Sequence, residues 1–344
     1  MQKNKKKLVI QNTEIKKAKK YRINIDMGRM HDFTDLKMPI EIISGVNDGP
    51  TLFVCSTIHG DEINGIEIVR RLLTLLDINS IAGKLIAIPI VNIFGFNDHS
   101  RYLPDRRDLN RCFPGLKNGS LASQLAYKFM QEIVLKSDYG IDIHSGSFHR
   151  SNFPQVRTDI ANKLNFELAQ AFAPRAIINS NLRDGSLRSE ANHANIPVIL
   201  YEAGEVLRFD ENAVNIGVNG ILRMMNKIGM IENGFKKKHG FLKNNHNSNI
   251  FIGLSSSWIR AAQSGIFISK LKLGDMVKKN QIIGNISNPF GDNNIEIMAN
   301  FDGLIIGMNM LPLVNKGDAL IHIASPKKLK DKDRFFNENN LVAN

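Results

Sequence analysis

Five apolar runs alternate with four helix-like stretches over about the first two thirds of the chain. The runs cover residues 52–55, 84–91, 139–143, 176–178 and 198–201, and the helix-like stretches cover about 65–76, 121–136, 158–171 and 211–227. Strands that alternate with helices are typical of a parallel or mixed sheet with helices packed on its faces. The pattern therefore predicts an α/β fold with a mixed sheet flanked by helices.

The character of the sequence changes after residue 228. Residues 229–250 are rich in Lys, Asn and Gly and are predicted to form a linker, and short strand-like runs with Gly-Asp and Asn-Pro turns follow over 251–325. Such runs are typical of a small all-β domain. Residues 1–20 and 326–344 are predicted to be tails, the first of them basic, which leaves 21–228 as the α/β domain.

Charge and cysteine content narrow the class of protein. The 344 residues carry a net charge of +12, which favours an anionic small-molecule ligand. Zinc-finger spacing and aromatic-basic motifs are absent from the sequence, so no nucleic-acid partner is predicted. No apolar run has the length of a signal peptide core or a membrane span, so neither export nor a membrane partner is predicted. Two cysteines give no disulfide framework, and the predicted location is cytoplasmic.

Four short motifs place titratable side chains at the ends of predicted strands or in adjacent loops. They are HGDE at 59–62, DLNRCFPG at 108–115, DIH at 142–144 and YEAG at 201–204. In open α/β sheets the carboxyl ends of the strands build the binding site. Two histidines and one carboxylate are a standard ligand set for catalytic zinc, so His59, Glu62 and His144 are candidate ligands of one Zn²⁺. Glu202 is the candidate general base and acid that works on the zinc-activated water.

Taken together in this order, the four motifs resemble those of the succinylglutamate desuccinylase/aspartoacylase family, a branch of the zinc-carboxypeptidase-like hydrolases. The resemblance covers roughly residues 20–325. It implies a zinc-carboxypeptidase-like catalytic domain over 21–228 and a small β domain after it. It also implies a zinc-dependent amidohydrolase that removes the acyl group from an N-acyl amino acid or a related small amide.

The resemblance assigns further roles to polar residues near the predicted zinc. Asn110 and Arg111 match the pair that binds the carboxylate of the substrate, a task suited to the planar fork of a guanidinium. Arg188 is expected at the far end of the acyl group. The substrate implied is therefore a small anionic N-acyl amino acid.

One catalytic arginine is harder to assign from the sequence. Arg101 lies where the family has an arginine that polarises the scissile carbonyl, but its spacing to Asn110 does not match residue for residue. Arg106 and Arg107 are alternatives for this role. If Glu202 is not the general base, Glu205 is the next candidate.

The C-terminal β region resembles the barrel-sandwich fold of biotinyl and lipoyl carriers. A carrier needs a lysine on an exposed hairpin, and the corresponding residues 295–299 read IEIMA. We therefore predict a structural cap that shapes the substrate entrance or contributes to a homo-oligomer. Two other functions stay open at this stage: a zinc carboxypeptidase, which needs an open groove for a peptide, and a non-catalytic protein that binds a small molecule.

Overall fold

A strand near the middle of the large sheet shows why this sequence forms a layered α/β fold. The computed structural model describes residues 7–232, 235 and 250–328, and β5 (Asn47–Ser56) pairs in parallel with β6 (Ala82–Ile88) and β7 (Tyr139–Gly146). Successive side chains of a strand point to opposite faces of the sheet. Phe53 therefore belongs to the core on one face, and Val54 belongs to the core on the other.

Helices cover both of these faces. They are α1 (Asn64–Leu75), α2 (Ile93–Asn97), α3 (Leu121–Glu132), α4 (Lys163–Phe172), α5 (Leu187–His193) and α6 (Glu211–Lys227). Residues of α1, α4 and α6 pack with Val54, whereas residues of α3 and α5 pack with Phe53. Within the described ranges, none of the helices is both long enough and apolar enough to cross a bilayer.

The large sheet is mixed and contains 13 strands within the described part of the chain. Those not yet named in its α/β part are β3 (Lys19–Arg29), β4 (Asp35–Ser44), β8 (Arg150–Thr158), β9 (Ala176–Asn179) and β10 (Val198–Glu205). β10 pairs in parallel with β7 and antiparallel with β8. The predicted mixed sheet flanked by helices is thus confirmed.

The N-terminal region differs from the predicted basic tail. Residues 1–6 lie outside the described part, but β1 (Val9–Ile10) and β2 (Thr13–Glu14) form a small antiparallel pair, and β3 begins at Lys19. The side chains of Ile10 and Ile15 are buried in the core next to α3. The prediction of a tail was wrong here because it was based on the many lysines of this segment. Its few apolar residues are sufficient to anchor it to the core.

One helix boundary also differs from the prediction. The helix predicted at 158–171 begins at Lys163, because residues up to Thr158 belong to β8. The side chain of Asn162 accepts a hydrogen bond from the backbone N–H of Asn165, which is the geometry of an N-cap. Most of the predicted linker 229–250 and of the tail 326–344 lies outside the described residues.

The region 251–325 forms an all-β unit that is joined to the large sheet. Its strands are β11 (Phe251–Gly253), β12 (Ser255–Arg260), β13 (Gly265–Ser269), β14 (Met276–Val277), β15 (Ile282–Ser287), β16 (Ile295–Met298), β17 (Gly303–Asn309), β18 (Leu313–Val314) and β19 (Ala319–Ser325). β13, β15, β16 and β18 form a separate four-stranded sheet, and β17 pairs with β8 in the large one. The unit has a core of its own, so the predicted all-β region is present, but the large sheet continues into it.

Candidate active site

The turn between β5 and α1 brings two titratable side chains to the edge of the sheet. The backbone N–H of Glu62 donates to the carbonyl of His59 over 3.1 Å, which closes a tight turn. The Thr57 hydroxyl donates to the carbonyls of Glu62 and Pro89, over 3.3 and 3.1 Å. This buried network fixes the turn at the carboxyl end of β5, so His59 and Glu62 face the same space.

His144, near the end of β7, completes a compact group with these two residues. Glu62 Oε1 lies 2.7 Å from His59 Nδ1, and Glu62 Oε2 lies 2.8 Å from His144 Nδ1. The backbone N–H of Ser145 also donates to Glu62 Oε2, over 2.9 Å. One ligand atom from each of the three side chains lies within 4.8 Å of the others, and all three residues are buried.

Two further carboxylates hold the outer nitrogens of the histidines. Asp108 Oδ1 lies 3.1 Å from His59 Nε2, and Asp142 Oδ2 lies 2.9 Å from His144 Nε2. A ligating histidine commonly bonds its second nitrogen to such a carboxylate, which fixes the ring and its tautomer. Each Nδ1 is thereby left to face Glu62. The donor set and its spacing fit one divalent cation held by His59, Glu62 and His144.

The electrostatics of the group also favour a cation. Burial raises the pKa of the Glu62 carboxyl, but His59 and His144 outweigh burial and hold that pKa well below its usual range. Burial likewise lowers the pKa of His144, but Asp142 and Glu62 outweigh it and raise the pKa well above its usual range. The carboxylates of Glu62, Asp108 and Asp142 thus favour positive charge between them, whether it is carried by protons or by a metal ion.

Of the three candidate arginines, Arg101 is the one in contact with this group. Its Nη1 lies 3.2 Å from His59 Nδ1 and 3.5 Å from Glu62 Oε1, and its Nε and Nη2 donate to Asp108 Oδ2. Arg106 and Arg107 are exposed. The geometry therefore places Arg101, and not Arg106 or Arg107, beside the three candidate metal ligands.

Glu202 lies on the strand next to His144. The two residues are partners in the parallel register of β10 and β7. Asn152 Nδ2 donates to Glu202 Oε1 over 2.7 Å, and Arg157 forms an ion pair with Glu202 Oε2. Within the described ranges, Glu202 makes no hydrogen bond with the three candidate ligands. Glu205 belongs to a separate ion pair, in which its Oε2 lies 3.8 Å from Arg208 Nε.

Asn152 and Arg157 were missed in the sequence because both lie on β8, which is not predicted from local patterning. The residues before the Arg-Thr pair at 157–158 mix polar side chains with Phe, Pro and Val, so they show no clear strand alternation. Asp108 and Asp142 were likewise missed as partners of the histidines, although both lie within the quoted motifs. An aspartate two residues before a ligand histidine on one strand face was the available signal for Asp142.

The predicted substrate-binding residues are joined through the start of α5. Asn110 Oδ1 accepts from the backbone N–H of Leu187 over 2.9 Å, and Arg111, which is exposed, donates from Nη1 to the Asn110 carbonyl. Arg188 is 8% exposed and donates from Nη2 to Ser180 and Asn181, whereas its buried Nη1 has no partner in the described structure. Burial, with the nearby charge of Arg157, lowers the pKa of Arg188 to about 10.

The catalytic part of the chain is similar to one known protein family. The model of the succinylglutamate desuccinylase/aspartoacylase catalytic domain matches residues 48–228. The chain belongs to the succinylglutamate desuccinylase/aspartoacylase family. The matched span begins at β5 and ends just after α6, so it contains His59, Glu62, His144 and Glu202.

Individual relatives support the same family and its fold. The chain is 26% identical over 299 residues to the N-alpha-acetyl-L-2,4-diaminobutyric acid deacetylase of Halomonas elongata, covering 83% of this chain and 85% of that protein. A succinylglutamate desuccinylase/aspartoacylase structure from Rhodobacter sphaeroides has a TM-score of 0.80 at 21% identity, covering 93% of this chain and 99% of the other. The product-bound structure of the ectoine utilization protein EutE (DoeB) from Ruegeria pomeroyi has a TM-score of 0.79 at 19% identity, covering 92% of this chain and 99% of the other. Both structures span the α/β part and the β unit of the family fold.

Proposed function

We propose that the protein is a zinc-dependent hydrolase that removes the acyl group from an N-acyl amino acid or a related small amide. The observation that carries this proposal is the group of His59, Glu62 and His144, in which each histidine is backed by an aspartate. This donor set suits one Zn²⁺ with a position left for water or substrate. Membership of the desuccinylase/aspartoacylase family supports the same chemistry.

The residues around this group have complementary roles in amide hydrolysis. Zinc, when bound, supplies a water molecule with a pKa near 7 and a Lewis acid for the carbonyl. Glu202 takes the proton of the attacking water and gives it to the leaving amine. Arg101, with its guanidinium beside His59, stabilises the negative charge that develops on the scissile carbonyl oxygen.

Substrate recognition depends on the loop that carries Asn110 and Arg111 and on α5, which carries Arg188. Arg111, supported by Asn110, binds the free carboxylate of the amino acid portion, because its guanidinium is exposed. Arg188, with a buried nitrogen that has no hydrogen-bond partner among the described residues, binds a polar atom at the far end of the acyl group. The similarity to an N-acetyl-diaminobutyrate deacetylase makes acetyl the first acyl group to test. The free cysteines Cys55 and Cys112 support a reducing compartment such as the cytoplasm.

A substrate panel tests the proposal. Purified, zinc-loaded protein is offered N-acetyl, N-succinyl and other N-acyl amino acids, including N-acetyl-L-2,4-diaminobutyrate, with unblocked and N-blocked peptides as the carboxypeptidase arm. We expect hydrolysis of at least one N-acyl amino acid, with loss of activity after chelation and recovery on adding zinc. Cleavage of peptides alone would favour a carboxypeptidase, and no turnover of any compound would refute the deacylase.

A further inference from the structure

We propose that Asn152 is a positioning residue for Glu202, and that the β unit holds Asn152 in place through Gly307. The inference rests on the proposed function only in giving Glu202 the role of general base. Asn152 lies on β8, next to the strand that carries Glu202, and donates to Glu202 Oε1 over 2.7 Å. The arrangement of the side chains around Asn152 shows how the β unit takes part.

Asn152 lies in a row of residues that runs across strands into the β unit. In the register of the sheet, Asn152 on β8 is opposite Gly307 on β17, and Gly307 is opposite His322 on β19. His322 is in turn opposite Trp258 on β12. Residues that face each other across paired strands have their side chains on the same side of the sheet. The row therefore connects the environment of Glu202 with the β unit.

Gly307 leaves the space that the Asn152 amide occupies. A Cβ at position 307 would lie 2.9 Å from Asn152 Oδ1 and 3.1 Å from His322 Cβ. The nearest of these atoms is the end of a side chain, so a methyl group here would displace the Asn152 amide rather than the backbone. Asn152 is 5% exposed, which leaves its amide few other places to go. The absence of a side chain at Gly307 thus allows the orientation in which Nδ2 faces Glu202.

Aromatic stacking closes the other side of this space. The rings of Trp258 and His322 stack with centroids 4.6 Å apart and planes 14° apart, and the Arg150 guanidinium lies 5.0 Å from the centre of the Trp258 ring. His322 is buried, and its burial together with nearby arginines holds its pKa well below the usual range. A neutral ring packed in this way forms a fixed wall behind Gly307.

The consequence concerns how the Glu202 carboxylate is oriented. Asn152 binds Oε1 and Arg157 binds Oε2, so each oxygen has its own partner. Without Asn152, the ion pair with Arg157 would be the one contact of the carboxylate left among the described residues, and the carboxylate could rotate about it. A general base must lie within hydrogen-bonding reach of the proton that it removes, and a displacement of about 1 Å can cost about 100-fold in rate. Asn152 therefore affects the rate of the chemical step more than it affects substrate binding.

Four variants test this chain of contacts. Asn152→Ala and Asn152→Asp both remove the amide donor, and Asn152→Asp does so without changing the size of the side chain. Gly307→Ala keeps the donor but displaces it. A double variant combines Asn152→Ala with Gly307→Ala. All are assayed as zinc-loaded protein with N-acetyl-L-2,4-diaminobutyrate or the best substrate of the panel. We expect Asn152→Ala and Asn152→Asp to lower kcat about 10- to 100-fold and Gly307→Ala about 10-fold, with KM and zinc content nearly unchanged.

The double variant separates positioning from a general loss of structure. If Gly307 acts through Asn152, the double variant should be no slower than Asn152→Ala, because the contact is already lost. Gly253→Ala is the matched control: its Cβ would lie 3.0 Å from Ile178 Cδ1 and 3.1 Å from Ala324 Cβ, which is similar crowding in the same unit without a link to Asn152. Additive losses in the double variant, or an equal loss of kcat in Gly253→Ala, would overturn the proposal.

A structural readout decides the matter even if the deacylase activity is not found. Crystal structures of the wild type and of Gly307→Ala should show the bond from Asn152 Nδ2 to Glu202 Oε1 in the first and its loss in the second. No hydrolysis across the panel would refute the proposed function and leave this comparison in force. Absence of the bond in the wild type, or its persistence in Gly307→Ala, would refute the positioning role.

Discussion

Asp142 Oδ2 lies 2.9 Å from His144 Nε2, on the side of the ring that faces away from Glu62. Asp142 is fully buried, so this carboxylate is a fixed part of the site. Carboxylates behind a ligating histidine typically contribute 10- to 100-fold to metal affinity. We expect Asp142→Asn to weaken zinc binding by about this factor, measured by competition with a chelator. The exposed Asp98→Asn serves as the control, and equal affinities in the two variants would contradict the assignment.

Replacing Glu202 tests the division of roles between metal binding and proton transfer. Glu202→Gln keeps the size of the side chain but cannot accept a proton, so kcat should fall about 10²- to 10⁴-fold while the zinc content is retained. Metal analysis and steady-state kinetics on the same preparation measure both quantities. Glu205→Gln, which changes a carboxylate in the separate pair with Arg208, should stay close to wild type. A large loss of kcat in Glu205→Gln with little loss in Glu202→Gln would instead assign the role of general base to Glu205.

Arg111 provides a test of what the enzyme recognises in its substrate. Charge-assisted hydrogen bonds contribute roughly 1.5–3 kcal/mol, so Arg111→Ala should raise KM about 10- to 100-fold for an N-acyl amino acid. The effect should be much smaller for the corresponding carboxamide, which has no carboxylate to bind. Arg111→Lys keeps the charge but lacks the planar fork and should also be impaired.

Arg107→Ala is the control for Arg111, because it removes another exposed arginine from the same loop. We expect Arg107→Ala to leave KM for both compounds unchanged. Wild-type protein that hydrolyses the acid and the carboxamide equally well would show that no carboxylate anchor exists.

Glu67 on α1 makes the stability of the fold depend on pH in acid. Hydrogen bonds from Arg70 and Arg71 lower the pKa of Glu67 to about 2, against an ordinary value near 4.5. Because the folded-state pKa is the lower one, the contribution of Glu67 is complete above about pH 4.5 and is lost as the pH falls towards 2. Glu67→Gln should therefore lower the free energy of unfolding by about 1 kcal/mol at pH 7.

Urea unfolding at pH 7 and pH 3 measures this dependence. The difference between Glu67→Gln and wild type should be smaller at pH 3 than at pH 7. Glu14→Gln is the control, because Glu14 pairs with Lys7 in a far more exposed position and should contribute little at either pH. A difference for Glu67→Gln that is the same at both pH values would contradict the pKa shift.

The sequence was sufficient to single out His59, Glu62 and His144 as candidate metal ligands, because these residues lie at or beside strand ends. His59 and Glu62 lie in one turn, and His144 follows the easily recognised apolar run of β7. Apolar runs of this kind predicted β5, β6, β7, β9 and β10, and all five are confirmed. At such positions a buried apolar run locates the strand, and the polar residue that follows it can be read directly from the sequence.

The partners of Glu202 could not be predicted in the same way. β8 has the sequence RSNFPQVRT, in which polar residues and a proline obscure any alternation, and its burial depends on β10 and β17 on either side. Asn152 and Gly307 are 155 positions apart in the chain, and only the pairing of their strands brings them together. No local pattern reports such a pairing. The homo-oligomer stays a prediction for a similar reason, since a partner surface has no local pattern either.

The pairing of β8 with β17 also determines how the molecule can move. Hydrogen bonds between these strands run from Arg150 to Asn152 on one side and from Gly307 to Asn309 on the other, so the sheet has no break between the α/β part and the β unit. A hinge rotation of one unit against the other would have to break this ladder. If the protein opens and closes over a bound substrate, surface loops would have to move instead, such as the turn after β7 where Phe148 and His149 both adopt left-handed backbone angles. Turnover limited by such a loop would respond to solvent viscosity without any large change in the radius of gyration.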